Sequence, residues 1–191
     1  MRSMNQKNIE KLIRQLIIEF GDNPYREGLL DTPRRAAAMY AEMLEGISLT
    51  NSEIADKFGT CFEHVNTRDL VLLKDIEVFS FCEHHLALMY NMRAHVGYIP
   101  KGRVIGLSKI ARICDMAAKR LQLQERLGGD IIEILQEVLK TKDLIVVIDA
   151  EHSCMSARGI KSRAATTRTA AIRGLFETDS ALRSEVYTLI R

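Results

Sequence analysis

The sequence predicts an α+β protein in which an antiparallel sheet carries a helix pair between two strand pairs. Three observations predict it. Apolar residues recur at helical spacing near the start of the chain and again in its middle. Strand-like runs occur as two groups, near residues 70–99 and 144–176. The middle helices fall between those groups, an order that favours an antiparallel sheet over alternating parallel units.

Ile9, Leu12, Ile13, Leu16, Ile17 and Phe20 repeat at helical spacing, so a first amphipathic helix covers about residues 6–20. Gly21-Asp22-Asn23-Pro24 ends it. Asp31-Thr32-Pro33 offers an N-cap and a proline at the first helical position, predicting a second helix from about 33 to 46. Residues 47–68 are mixed and polar and are expected to be a connector.

Strand character follows in Leu70-Val71-Leu72-Leu73, in Ile76 to Phe81, and in Leu88 to Ile99, with Pro100-Lys101-Gly102 as a turn. Ser108 is the expected N-cap of a helix with Ile110, Ile113, Cys114 and Ala117 on one face. Leu127, Ile131, Ile134, Leu135 and Val138 mark a further helix. A strand is expected from Leu144 to Cys154 and another within Arg163 to Phe176, and Asp179 caps a last helix to about 190. The chain divides into an N-terminal helical segment (1–50), a connector (51–68) and a core (69–191), within one structural unit.

At 191 residues the chain suits one domain with a sizeable core. No apolar run approaches the roughly 18 residues of a membrane span. Met1 to Lys7 lacks the apolar stretch of a signal peptide. The four cysteines are then thiols or metal ligands rather than disulfides, and a cytoplasmic location is expected. Arg158, Lys161, Arg163, Arg168 and Arg173 lie in a stretch without Asp or Glu, and Lys101, Arg103, Lys109 and Arg112 form a second basic group. Such groups hold anions or simply face solvent. No nucleic-acid motif accompanies them, and aromatics are only 6% of residues, so no nucleic-acid partner is expected.

Chemistry concentrates in Cys82-Glu83-His84-His85 and in His152-Ser153-Cys154. Cys82 and His85 have the two-residue gap common among zinc ligands. Strand alternation puts Leu144, Val146, Ile148, Ala150, His152 and Cys154 on one face. Cys82, His85 and Cys154 would supply two thiolates and one imidazole to Zn²⁺, leaving a fourth position for water of pKa about 7. His84 and His152 then remain for proton transfer. The competing reading is two buried cysteines beside satisfied histidines. Cys61 and His64 repeat the spacing without an evident third ligand; Cys114 reads as a core residue and His95 as structural.

Gly106-Leu107-Ser108-Lys109 enters a helix, and helix N-termini attract phosphate. Ser108, Lys109 and Arg112 add donors, and Arg158 brings charge near Cys154. The Glu125 carboxylate, beside Gln124, can accept from N1–H and the 2-amino group of a guanine, or it can simply be an exposed residue starting a helix.

Together these residues resemble the GTP cyclohydrolase I family. The resemblance spans nearly the whole chain: Asn23-Pro24, Arg26-Glu27-Gly28-Leu29, Asp31-Thr32-Pro33-Arg34, Cys82-Glu83-His84-His85, Tyr98-Ile99-Pro100, Gly106-Leu107-Ser108-Lys109, Gln122 to Leu127, His152-Ser153-Cys154-Met155, Arg158-Gly159 and Arg173-Gly174. It implies the tunnelling fold, whose sheets join into an oligomeric barrel, as a decamer of two pentamers with sites between subunits. It implies conversion of GTP and water to 7,8-dihydroneopterin triphosphate and formate, the entry to tetrahydrofolate and pterin synthesis. By resemblance Cys82, His85 and Cys154 are zinc ligands, and His84 and His152, with Ser108, serve proton transfer. Ser108, Lys109, Arg112 and Arg158 match triphosphate positions, and Gln124 and Glu125 match guanine-recognition positions.

The chain departs from the family in two places. Leu88-Met89-Tyr90-Asn91-Met92-Arg93 stands where the family has a proline, an aromatic pair and a glycine, and the stretch before His95 is one residue longer. A turn there is expected to be looser. Ala164 and Thr166 stand where members often carry Gly and Lys. Two rivals to the zinc cyclohydrolase are a diverged paralogue that opens GTP without ring closure and a non-catalytic, zinc-stabilised module.

Overall fold

The computed structural model describes residues 4–65 and 67–191, the side chains of residues 64 and 65 excepted. Asn5 caps helix α1 (Gln6–Glu19) by accepting from the Asn8 N–H at 3.0 Å. Helix α2 (Thr32–Met43) has proline in its first turn as expected, but Asp31 makes no capping bond and pairs with Arg34 and Arg35. The expected connector is structured. Thr50 and Glu53 form a reciprocal capping box that starts α3 (Asn51–Phe58), and β1 (Cys61–Val65) follows. Helix α3 buries Ile54, Ala55 and Phe58 in the main core, a face short enough to escape a periodicity reading.

Strands β2 (Val71–Cys82) and β3 (Ala87–Tyr98) form a long antiparallel hairpin. Each carries one extra residue. In β2 the register shifts between Leu73 and Ile76, where Asp75 has φ +57°. In β3 it shifts between Met89 and Met92, where Asn91 has φ +48°. Both are bulges built on left-handed residues that tolerate that region. The bulges decide which side chains face the core. Val71 and Leu73 pack on it before the first bulge, and Ile76, Val78 and Cys82 after it. Met89 joins Met92 on the same face across the second. The stretch expected as a loosened turn after His85 is therefore strand interior. The Asn91 side-chain amide donates to Glu151 Oε1 at 2.8 Å and holds the bulge.

A short β4 (Gly102–Ile105) pairs with β1, and α4 (Leu107–Ala118) follows. Ser108 is not its N-cap; Gly106 is, and Ser108 is the second helical residue. Ile110, Ile113, Cys114 and Ala117 are fully buried, as their spacing predicts. The two-residue β5 (Leu121–Gln122) pairs in parallel with the end of β2 and leads into α5 (Gln124–Leu139). Strand β6 (Leu144–His152) pairs with β3, and β7 (Thr167–Arg173) pairs with β6. The sheet order is β5-β2-β3-β6-β7, antiparallel except for β5.

Cys154 lies beyond β6, in the one-turn helix α6 (Ser153–Ser156), not in the strand as expected. One-turn α7 (Leu175–Thr178) precedes α8 (Ser180–Leu189), which Asp179 caps through the Ala181 and Leu182 amides. Helices α4 and α5 cover one sheet face, α3 packs against both, and together they enclose the main core. Phe176, Val186 and Ile190 cover Ile145 and Val147 on the other face. No helix among the described residues is long and apolar enough to cross a membrane.

Candidate active site

The site gathers where β2, β6 and α5 meet. Cys82 closes β2 and is buried, and His85 lies three residues on in the turn to β3. The His85 amide donates to the Cys82 carbonyl, and Leu86 at φ +50° completes the turn. Met89 pairs with His152 across β3 and β6, so the chain leaving His152 arrives beside that turn. Ser153 Oγ then donates to the Leu88 carbonyl at 2.7 Å, and α6 brings Cys154 inward.

The result is one group of donor atoms from Cys82, His85 and Cys154, all within 4.8 Å of one another. Among the described residues it is the group of three or more such side chains able to hold a metal ion. Two sulfurs and an imidazole, from side chains that are buried, half-buried and exposed, suit Zn²⁺ with one open side. Burial and the neighbouring Cys82 push the Cys154 thiol above its ordinary range, while Arg158 pulls it down. A thiol whose ionisation burial and a neighbouring sulfur oppose is one that a bound divalent cation would favour as thiolate.

His152 is held from behind. Its Nε2 lies 2.8 Å from Gln124 Oε1. Gln124 is 1% exposed, and its Nε2 donates to the carbonyls of Ile148 at 2.9 Å and Thr167 at 3.0 Å. Those two bonds fix the amide's orientation, so its oxygen faces the imidazole and His152 Nε2 carries the hydrogen. Nδ1 is the nitrogen left for proton exchange. Burial holds this imidazole below its ordinary pKa, and the Glu125 carboxylate partly offsets that. Gln124, matched by resemblance to guanine recognition, thus has its side-chain amide engaged within the chain. Glu125 is exposed one residue further along α5, near enough to act on His152.

His84 is exposed beside His85, their ring centroids 6.2 Å apart and nearly perpendicular. Ser108, Lys109 and Arg112 lie in the first two turns of α4, with Ser108 and Arg112 exposed; Arg158 is exposed just after α6. Within one chain no hydrogen bond or ion pair among the described residues joins Ser108, Lys109 or Arg112 to the cysteines. The basic groups are partly spent: Lys101 pairs with Asp143, Arg103 with Glu63, and Arg168 with Asp149.

Cys61 Sγ donates to the Val138 carbonyl, and the side chain of His64 lies outside the described residues. Burial pushes the Cys114 thiol up to about 12, that of an inert core residue. His95 is structural as expected: buried, it accepts at Nδ1 from the Asp75 N–H at 3.1 Å and so anchors the first bulge. Sequence reasoning missed the salt bridge between Glu83 and Arg126, 2.6 Å apart, and the buried Gln122 behind it. No local pattern joins residues 43 positions apart.

The family model described as GTP cyclohydrolase I matches residues 9–191. A Clostridium botulinum (Loch Maree) protein named GTP cyclohydrolase 1 is 50% identical over 192 residues, covering 98% of each chain. A protein of that name from Clostridium beijerinckii is 49% identical over 195 residues, covering 100% of this chain and 99% of its own. Another, from Ruminiclostridium cellulolyticum, is 49% identical over 194 residues, with 99% and 100% covered. Agreement of that depth along both full lengths means that the chain belongs to the GTP cyclohydrolase I family.

Proposed function

We propose that this chain is a zinc-dependent GTP cyclohydrolase that converts GTP and water to 7,8-dihydroneopterin triphosphate and formate. The observation that carries the reading is the meeting of Cys82, His85 and Cys154 from two distant segments, with a held histidine beside them. Zinc held by those residues is a Lewis acid that acidifies water to a pKa of about 7, so that hydroxide is supplied at neutral pH.

The protein's own groups do the rest. Glu125 accepts from N1–H and the 2-amino group of guanine and orients the base. Lys109, Arg112 and Arg158 hold the triphosphate. As oxygen adds at C8, His152 gives a proton to N7 from Nδ1, and the imidazole ring opens to a formamide. Its low pKa makes the imidazolium a strong acid. His84, exposed beside the ligands, handles protons as formate leaves, and Ser108 assists as the ribose carbons rearrange and close onto the pyrimidine amines. Gln124 serves by fixing His152.

The exposed positions of Ser108 and Arg112 at the start of α4 suit a site completed by another copy. The tunnelling-fold barrel, with residues 69–191 as its core, and the decamer of two pentamers belong to this proposal.

Turnover of GTP by zinc-loaded protein, reading formate and dihydroneopterin triphosphate together, tests it. Equal amounts of both, abolished by a chelator, are expected. Formate alone would mean a diverged ring-opening enzyme. Bound zinc with neither product would mean a binding module.

A further inference from the structure

We infer that Arg126 is a positioning residue for the ligand-bearing turn, an inference that rests on the zinc reading above. Cys82 ends β2 opposite Gln122 of β5, and the Glu83 amide donates to the Gln122 carbonyl at 3.1 Å. Gln122 is 1% exposed, and its side-chain amide is fixed: Nε2 donates to the Ala117 carbonyl at 3.1 Å and to Asp130 Oδ2 at 2.8 Å. Its Oε1 must therefore accept, and it accepts from Arg126 Nε at 2.9 Å. Arg126 Nη2 then reaches the Leu121 carbonyl at 2.8 Å and Glu83 Oε2 at 2.6 Å.

One guanidinium thus ties the residue after the first ligand to a buried, oriented amide. The anchor extends inward. Asp130 also accepts from Arg120 Nη1 at 3.2 Å, and Arg120 reaches the carbonyls of Gly46 and Leu49 and the Asn51 side chain. Arg126 also follows Glu125 directly, so the same contact sets the α5 start against the turn carrying His84 and His85. A freed turn pays ordering entropy each time it closes on a metal. Lysine cannot replace the fork, because its single ammonium lacks the planar spread that spans three acceptors.

Zinc transfer from the loaded, full-length protein to a chromophoric chelator reads the effect. Arg126→Ala and Glu83→Ala should each raise the zinc dissociation constant about 10-fold, the low end for residues that orient ligands. The double variant should be no worse than Arg126→Ala alone, because Glu83→Ala removes only a contact that Arg126→Ala already removes. Arg126→Lys should recover only part of the loss, and Arg14→Ala, a charge control in α1, should match the unchanged protein. Unchanged zinc affinity in both single variants, or effects that simply add, would overturn the inference. So would a lowered melting temperature with unchanged affinity, which marks a merely structural contact. If the unaltered protein itself holds no zinc, the zinc reading falls and this inference with it. Tight zinc in every variant sinks the inference alone.

Discussion

Gln124 Oε1 lies 2.8 Å from His152 Nε2, and the same amide's nitrogen is bound to two main-chain carbonyls, of Ile148 and Thr167. A glutamine so engaged cannot flip. It dictates the tautomer of a histidine proposed to move protons.

Gln124→Ala should therefore cost turnover more than binding. A misplaced imidazole lowers kcat by on the order of 10²-fold. KM for GTP and zinc content should change little, because Gln124 touches neither the ligand sulfurs nor solvent. Steady-state kinetics with zinc quantification checks this, and a KM effect that exceeds the kcat effect would return Gln124 to substrate recognition.

His152→Ala removes the proton donor itself. Activity should fall about 10²–10⁴-fold with zinc and assembly retained. Near-normal turnover would take His152 out of the mechanism.

Cys154→Ser should lower zinc stoichiometry, since a hydroxyl is a poor substitute for thiolate. Metal analysis of the purified variant reads this directly, and one full equivalent of zinc would mean that the ligand set is wrong. Chelation of the unaltered protein should abolish product and leave the β2–β3 hairpin intact, because the bulges and core do not depend on the metal.

Stability should fall in two separate acid windows. Burial holds His95 below its ordinary 6.5, with Arg168 adding to that and Asp75 and Asp149 opposing it. The unfolded chain then takes up the proton first, so stability declines as pH drops below about 6.5 until the folded pKa is reached. Asp149 is held below 3.8, chiefly by its hydrogen bond from Arg168, so its contribution is present above 3.8 and disappears as pH falls through its folded value. His95→Asn keeps an acceptor for the Asp75 amide without a titrating ring. Urea unfolding from pH 7 to 5 should be flatter in that variant, and an unchanged slope would exclude His95 as the source.

Gly46→Ala tests the floor beneath the Arg120 network. A methyl there runs into the Met116 carbonyl oxygen. Overpacking against backbone should cost about 1–3 kcal/mol, seen as a lowered unfolding midpoint.

Much of this was legible in the residues. Helix α5 announced itself through Leu127, Ile131, Ile134, Leu135 and Val138, all buried as their spacing requires. The Cys82, His85, Cys154 group followed from spacing and ligand chemistry. What stayed hidden was tertiary or short. Helix α3 is eight residues long and β5 two, below the reach of periodicity. Gln124 and Glu125 are neighbours with opposite fates, one buried and one exposed, because helix phase against the sheet decides which of them points inward. Cys154 continued an alternating face on paper, yet the strand ends at His152 and a helical turn delivers the sulfur instead.

The bulge at Asn91 has a consequence for how this hairpin can change length. On both flanks the pairing skips a single residue: Val78 and Ser80 face Met92 and Met89, while Asp149 and Glu151 face Arg93 and Tyr90. Excising that residue leaves an ordinary strand in which Met89 still sits opposite His152 and Ala87 opposite Cys82. The position therefore works as an expansion joint. A chain can gain or lose one amino acid there while the ligand-bearing end of the sheet stays where it was.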